Sequence, residues 1–120
     1  MKRIISRRPE INRMVQRIAK RFDPEKIILF GSHGKGTAGP DSDVDLLVVM
    51  PVSGSKREKA IEIGVALHGI RIPKDIIVTT PEEFEWRKDV VGTIERPAAL
   101  EGEILYAKTR ADHRGRARVD

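Results

Sequence analysis

From Ile11 onward apolar residues recur at Met14, Val15, Ile18 and Phe22 with arginines and lysines between them, the three-and-four spacing that lays one apolar stripe along a helix. This spacing predicts a helix ending near Asp23-Pro24, because proline disfavours helical geometry in the residue before it. Ile27 to Phe30 is an unbroken apolar run stopped by glycine, and Val44 to Met50 is another stopped by Pro51. Short runs without alternation predict strands covered on both faces. Past the loop Ser53-Gly54-Ser55, the stretch from Lys56 to about Gly69 sets Ala60, Ile61, Val65 and Leu67 among charges and predicts a second helix; Asp75 to Thr79 predicts a third strand. Thr80-Pro81-Glu82-Glu83 joins a capping threonine, a proline at the first helical position and a glutamate three residues after the cap, so a short helix through Trp86 should follow. Pro97 to Tyr106 predicts one more short helix running into Ile104-Leu105-Tyr106, with Gly102 obscuring the boundary. The order α, β, β, α, β, α predicts an α/β fold with a small mixed β-sheet flanked by helices.

The chain has 120 residues, 39% hydrophobic, 34% charged and only 4% aromatic, which predicts a globular domain with an aliphatic core. We expect one domain over 1–107 and a basic, flexible tail over 108–120, where periodicity and apolar residues give out. With no cysteine there is neither a disulfide nor a thiolate metal site, so a metal would need oxygen or histidine ligands, as hard cations prefer. No segment approaches the roughly 18 apolar residues of a membrane span, and no long apolar run follows the basic start. A cytoplasmic protein without membrane contact is expected. The net charge of +5 is uneven: nine Lys and Arg face three acids over 1–26, and five face two over 108–120, which leaves the middle negative. A basic frame around an acidic centre suits a carboxylate site that binds cations. The arginine-rich first helix allows nucleic-acid contact, but without interleaved aromatics no motif for base readout supports it.

The negative centre has a pattern. Between the first two predicted strands lies Gly31-Ser32-His33-Gly34-Lys35-Gly36-Thr37-Ala38-Gly39, whose glycines let backbone N–H groups converge on an anion such as phosphate. Gly31 and Gly36 have the offset of a Walker A loop, but Thr37 stands where that loop needs its lysine and Lys35 precedes the second glycine, so the P-loop reading fails. Asp43-Val44-Asp45 then opens the second strand, and alternation sends Asp43 and Asp45 to one face with Val44 in the core. Two such carboxylates repel unless a cation lies between them. Magnesium takes oxygen ligands and completes its shell with nucleotide phosphates; two ions about 3.5 to 4 Å apart can activate an attacking hydroxyl and stabilise a leaving group.

Gly31-Ser32, the small-residue loop and Ser42-Asp43-Val44-Asp45-Leu46-Leu47-Val48 together resemble the minimal nucleotidyltransferases of the DNA polymerase beta superfamily, from about Ile11 to Tyr106. The resemblance implies the polymerase-beta-like nucleotidyltransferase fold. It also implies phosphate binding by Gly31 and Ser32, with Lys35 and Ser42 beside them, and magnesium binding by Asp43 and Asp45. A third carboxylate on a later strand completes the family's site, and Asp75 occupies that position as metal ligand and general base. Minimal members commonly pair with a HEPN-domain protein as a toxin–antitoxin couple, which implies AMP transfer from ATP to a hydroxyl of that partner. Many relatives carry arginine where His33, Lys35 and Gly39 stand, so the alternative is a catalytically weak or inactive antitoxin that neutralises its partner by binding. Trp86 is expected to cover the sheet rather than stack on a base, and Tyr106 to pack.

Overall fold

The computed structural model describes residues 8–39 and 42–108. The first helix, α1 (Arg8–Phe22), buries Ile11, Met14, Val15 and Ile18, the positions the spacing selects. It stops where Asp23 adopts φ 50°, a left-handed turn that aspartate tolerates better than most residues, with Asp23 N–H donating to Ala19 O at 3.1 Å. Strands β1 (Lys26–Phe30) and β2 (Val44–Val49) follow, with a five-residue helix α2 (Gly31–Lys35) between them. Helix α3 (Lys56–Ala66) is capped by Ser55, whose hydroxyl accepts from Glu58 N–H. Strand β3 (Lys74–Thr79) leads to α4 (Pro81–Arg87), capped by Thr80 Oγ1 on Glu83 N–H at 3.2 Å, and then come α5 (Glu95–Glu101) and β4 (Glu103–Ala107).

The four strands form one mixed sheet in the order β3-β2-β1-β4. β1 runs antiparallel to both β2 and β4, while β2 and β3 are parallel, joined by the α3 crossover that a parallel pair requires. Because every core strand buries both faces, residues of opposite parity enter two separate cores. Ile27, Leu29, Val44, Leu46 and Val48 pack under α1 and α3; Ile28, Phe30, Leu47 and Val49 pack under Phe84 of α4 and Ala98 of α5. Asp45 and Asp75 share the parity of Leu47 and Ile77, so they belong to the α4/α5 face at the sheet's α2 end.

Two elements differ from the sequence pattern. Glycines at 31, 34 and 36 suggest a loop, yet Gly31–Lys35 is helical, because packing outweighs propensity there: a Cβ on Gly34 would lie 2.5 Å from Leu29 O and near Gly102 Cα. The segment 103–107, expected as the end of a helix, is instead an edge strand on β1, begun where Gly102 packs so closely that a Cβ would lie 2.4 Å from Ala98 O. On α4 the sheet is covered by Phe84, and Trp86, two residues on, points outward at 59% exposure beside the Arg87 guanidinium. Two residues of a helix face different sides, so only one of this pair can cover the sheet. Tyr106 packs against the α1/α3 core as expected. Of the anticipated tail, Lys108 is bound, its N–H to Glu25 O at 2.9 Å and its ammonium to Asp23 at 3.0 Å; the remainder lies outside the described residues. Among the described residues no helix is long and apolar enough to cross a membrane.

Candidate functional site

β1 ends by aiming the chain at an acid. Phe30 pairs with Asp45 across the antiparallel ladder, and the next residue, Gly31, turns with φ +69°. A Cβ there would stand 2.3 Å from Asp45 Oδ2, so only glycine lets the α2 turn lie against that carboxylate. The first turn of α2 has no side-chain cap, which leaves its leading N–H groups for another acceptor.

The parallel register sets Asp75 directly beside Asp45, at the roughly 5 Å spacing of neighbouring strands. Asp43, exposed, precedes β2 by one residue, and Val44 between them is fully buried. The Asp45 carboxyl is held above its ordinary value of 3.8, first by burial, then by the charges of Asp75 and Asp43, with His33 acting the other way. The three aspartates named by sequence thus converge electrostatically, at positions 32 residues apart in the chain at the widest. Their oxygens are the donor set that magnesium accepts, and the upward shift of Asp45 reflects its burial first and the neighbouring carboxylates second. As they lie, no three His, Asp or Glu side chains among the described residues already stand in a metal-holding group.

The loop residues occupy more varied places. His33 Nε2 lies 3.2 Å from Ser42 O, Ser42 Oγ accepts from Gly39 N–H at 3.0 Å, and Ser42 N–H donates to Gly39 O at 3.2 Å; Ser42 braces the loop. Ser32 O accepts from Thr37 N–H at 2.9 Å, while Gly36, at φ +80°, ends α2. Lys35 turns to Glu101 at the end of α5, 3.5 Å away, so it is not gathered with the acids. His68 is exposed on the far side.

Sequence reasoning missed Glu95. It is 2% exposed on the same sheet face, accepts from Thr79 Oγ1 at 2.6 Å and lies 3.8 Å from Arg87, while its Oε1 and Arg87 Nε are buried without a partner. Nothing in a lone glutamate between Ile94 and Arg96 signals burial; only the packing of α5 on the sheet reveals it.

A family model described as the nucleotidyltransferase domain matches residues 11–99. No curated protein matches the sequence. Among solved structures, a protein from Sulfolobus solfataricus assigned as a nucleotidyltransferase is similar in fold, with TM-score 0.60 and 20% identity over 83% of this chain and 79% of that one. A toxin–antitoxin complex with AMP-PNP contains a chain similar at TM-score 0.51 and 19% identity, covering 88% of this chain and 77% of the other. A mutant MntA-HpeT toxin–antitoxin is similar at TM-score 0.50 and 17% identity, over 86% and 77%. Because the family match spans both strands of the acidic site, the α2 turn and the crossover to Asp75, the chain belongs to the nucleotidyltransferase domain family.

Proposed function

We propose that the protein is a magnesium-dependent nucleotidyltransferase that moves AMP from ATP to a hydroxyl of a HEPN-domain partner and releases pyrophosphate. The observation that carries this reading is the Asp45 carboxylate, with Gly31 against it and Asp75 beside it in register. Asp43, Asp45 and Asp75 would hold the metal, which supplies charge neutralisation between the carboxylates and the nucleotide's phosphates. Gly31 and the uncapped N–H groups of α2 donate to the phosphate oxygens, with Ser32 next to them. Lys35 is free to join, since its half-exposed pair with Glu101 is a weak tie of at most about 1 kcal/mol. Asp75, exposed at the start of its strand, accepts the proton of the incoming hydroxyl. The hydroxyl oxygen then bonds to the α-phosphorus as the bond to the pyrophosphate oxygen breaks.

Toxin–antitoxin chains of the same fold, one with AMP-PNP, suggest the partner class. The test is to combine purified protein, a HEPN-domain partner encoded beside it, ATP and magnesium. Pyrophosphate and an AMP adduct on the partner are expected, and both should vanish in Asp43→Asn and in Asp45→Asn. Equal yields from wild type and Asp43→Asn would sink the assignment.

The second reading is an antitoxin that acts by binding alone. It is motivated by the cations of the loop, since Lys35 pairs with Glu101 and the His33 ring rests on Ser42 O. Neutralisation of the partner that survives Asp43→Asn and Asp45→Asn together would select this reading.

A further inference from the structure

Helix α3 is apolar on two sides. Ile63 and Ala66 are buried toward the sheet, yet Ile61 and Val65, one turn apart, stand 57% and 68% exposed. A helix that only roofs a sheet needs one apolar stripe. Ile61 borders an open cavity of about 500 Å³ between α3 and β3, floored by Ala60, Gly64, Ile72 and Ile76 and rimmed by Arg57 and Lys74. β3 is an edge strand, paired among the described residues only with β2. A Cβ on Gly64 would meet nothing within 4 Å, so there is room for an inserted side chain. The Lys74 ammonium is fixed by Ile70 O at 2.8 Å and Ile72 O at 3.2 Å, which holds its charge at the rim.

We propose that this groove docks an acidic amphipathic helix of a partner protein, with its apolar stripe along Ile61, Ile72 and Ile76 and its carboxylates on Arg57 and Lys74. Side chains spaced one turn apart on α3 form the ridge that a second helix packs against. Charge selects the occupant. A second copy would bring its own Arg57 and Lys74 into the interface, so its rim supplies cations where carboxylates are called for. Nor do the chain's own remaining segments suit the rim: residues 1–7 carry Lys2, Arg3 and Arg7 and no acid, and 109–120 carry Arg110, Arg114, Arg116 and Arg118 against Asp112 and Asp120. Nucleic acid matches the cations but not the aliphatic floor, and no aromatic lines the groove to stack a base. Because the groove lies on the α1/α3 side and Asp45 and Asp75 on the α4/α5 side, a helix held here leaves the acidic site open. The docking surface therefore stands apart from the transfer reaction and does not rest on it.

The test uses the full chain and a fluorescently labelled leucine–glutamate amphipathic helical peptide, read by anisotropy, with a leucine–lysine peptide of the same pattern, a serine–glutamate peptide and a duplex RNA as competitors. The leucine–glutamate peptide should bind and protect the amides of α3 and β3 from hydrogen exchange. Ile61→Ala and Arg57→Glu, both at exposed positions that leave the circular dichroism melt unchanged, should each weaken binding by about tenfold or more. Arg57→Glu should also gain affinity for the leucine–lysine peptide. The proposal is overturned by no binding of the leucine–glutamate peptide, by binding indifferent to Ile61→Ala, by competition from RNA or the serine–glutamate peptide, or by self-association that Ile61→Ala abolishes.

Discussion

A methyl group at position 31 would collide with Asp45 Oδ2 and would sit on a backbone with φ +69°, so Gly31→Ala meets two penalties at once. The left-handed geometry alone costs about 1–2 kcal/mol for a residue with a Cβ, and relief of the clash must push Asp45 away from the α2 turn. We expect a lower urea midpoint together with loss of magnesium-dependent ATP binding in a calorimetric titration; unchanged ATP affinity would separate Gly31 from the site. Asp45 gives a second prediction, in pH. Its folded carboxyl binds a proton more tightly than the unfolded chain's ordinary 3.8. Its contribution to stability is therefore fully present below 3.8 and is lost as pH rises through the raised folded value. At neutral pH the ionised Asp45 is a cost, so without magnesium Asp45→Asn should be at least as stable as wild type and should flatten the acid side of a stability–pH profile. Added magnesium should reverse the order by stabilising wild type alone, by about 2.7 kcal/mol at a hundredfold excess over its dissociation constant.

At the scale of elements, the N-caps and the contacts between helices decide how firmly the site's surroundings are held. Thr80 caps α4, and removing the hydroxyl in Thr80→Ala should cost about 1 kcal/mol in chemical denaturation. Lys56 at the start of α3 bonds Glu83 on α4 and, through that hydrogen bond, holds the Glu83 carboxyl below its ordinary 4.5. Stability from this pair is present above 4.5 and declines as pH falls through the depressed value. Lys56→Met should return the Glu83 titration, followed by NMR, to the ordinary range. Within the α4/α5 layer, Glu95 is tied to the sheet through Thr79. Thr79→Val would leave Glu95 Oε2 only the longer contact to Arg87 at 3.8 Å, at a cost of about 1–3 kcal/mol.

For the whole molecule, the two cores meet the α2 turn through one tight junction. Gly102 has φ −79°, an ordinary conformation, so its requirement is purely spatial: a Cβ would stand 2.6 Å from Ile28 Cγ2 as well as against Ala98 O. Gly34 of α2 packs beside it. Gly102→Ala should therefore loosen α5 and α2 together, lowering both the thermal midpoint and ATP affinity although position 102 contributes no side chain to the acidic site. Intact affinity with a lowered midpoint would confine the effect to α5.

Local pattern determined much of this protein. The α1 stripe, the strands at Ile27 and Val44 and the capping threonine at 80 all follow from spacing, because helix and strand periods act over a few residues. Residue-level resemblance nominated Asp75, but a sequence does not state strand register, and the pairing of Asp45 with Asp75 is a property of the parallel crossover. Nor did spacing foresee α2 as a helix, since its glycines are held by packing on Leu29 and Gly102. The segment 103–107 became a strand because β1 offered a free edge, and Glu95 became buried because α5 lies on the sheet. The sequence by itself determined which residues carry charge and which face of each element is apolar, since these depend on neighbours in the chain. The tertiary structure alone decided which carboxylates meet, which glycine one of them requires, and which apolar stripe on α3 stays uncovered, since these depend on residues far apart in sequence.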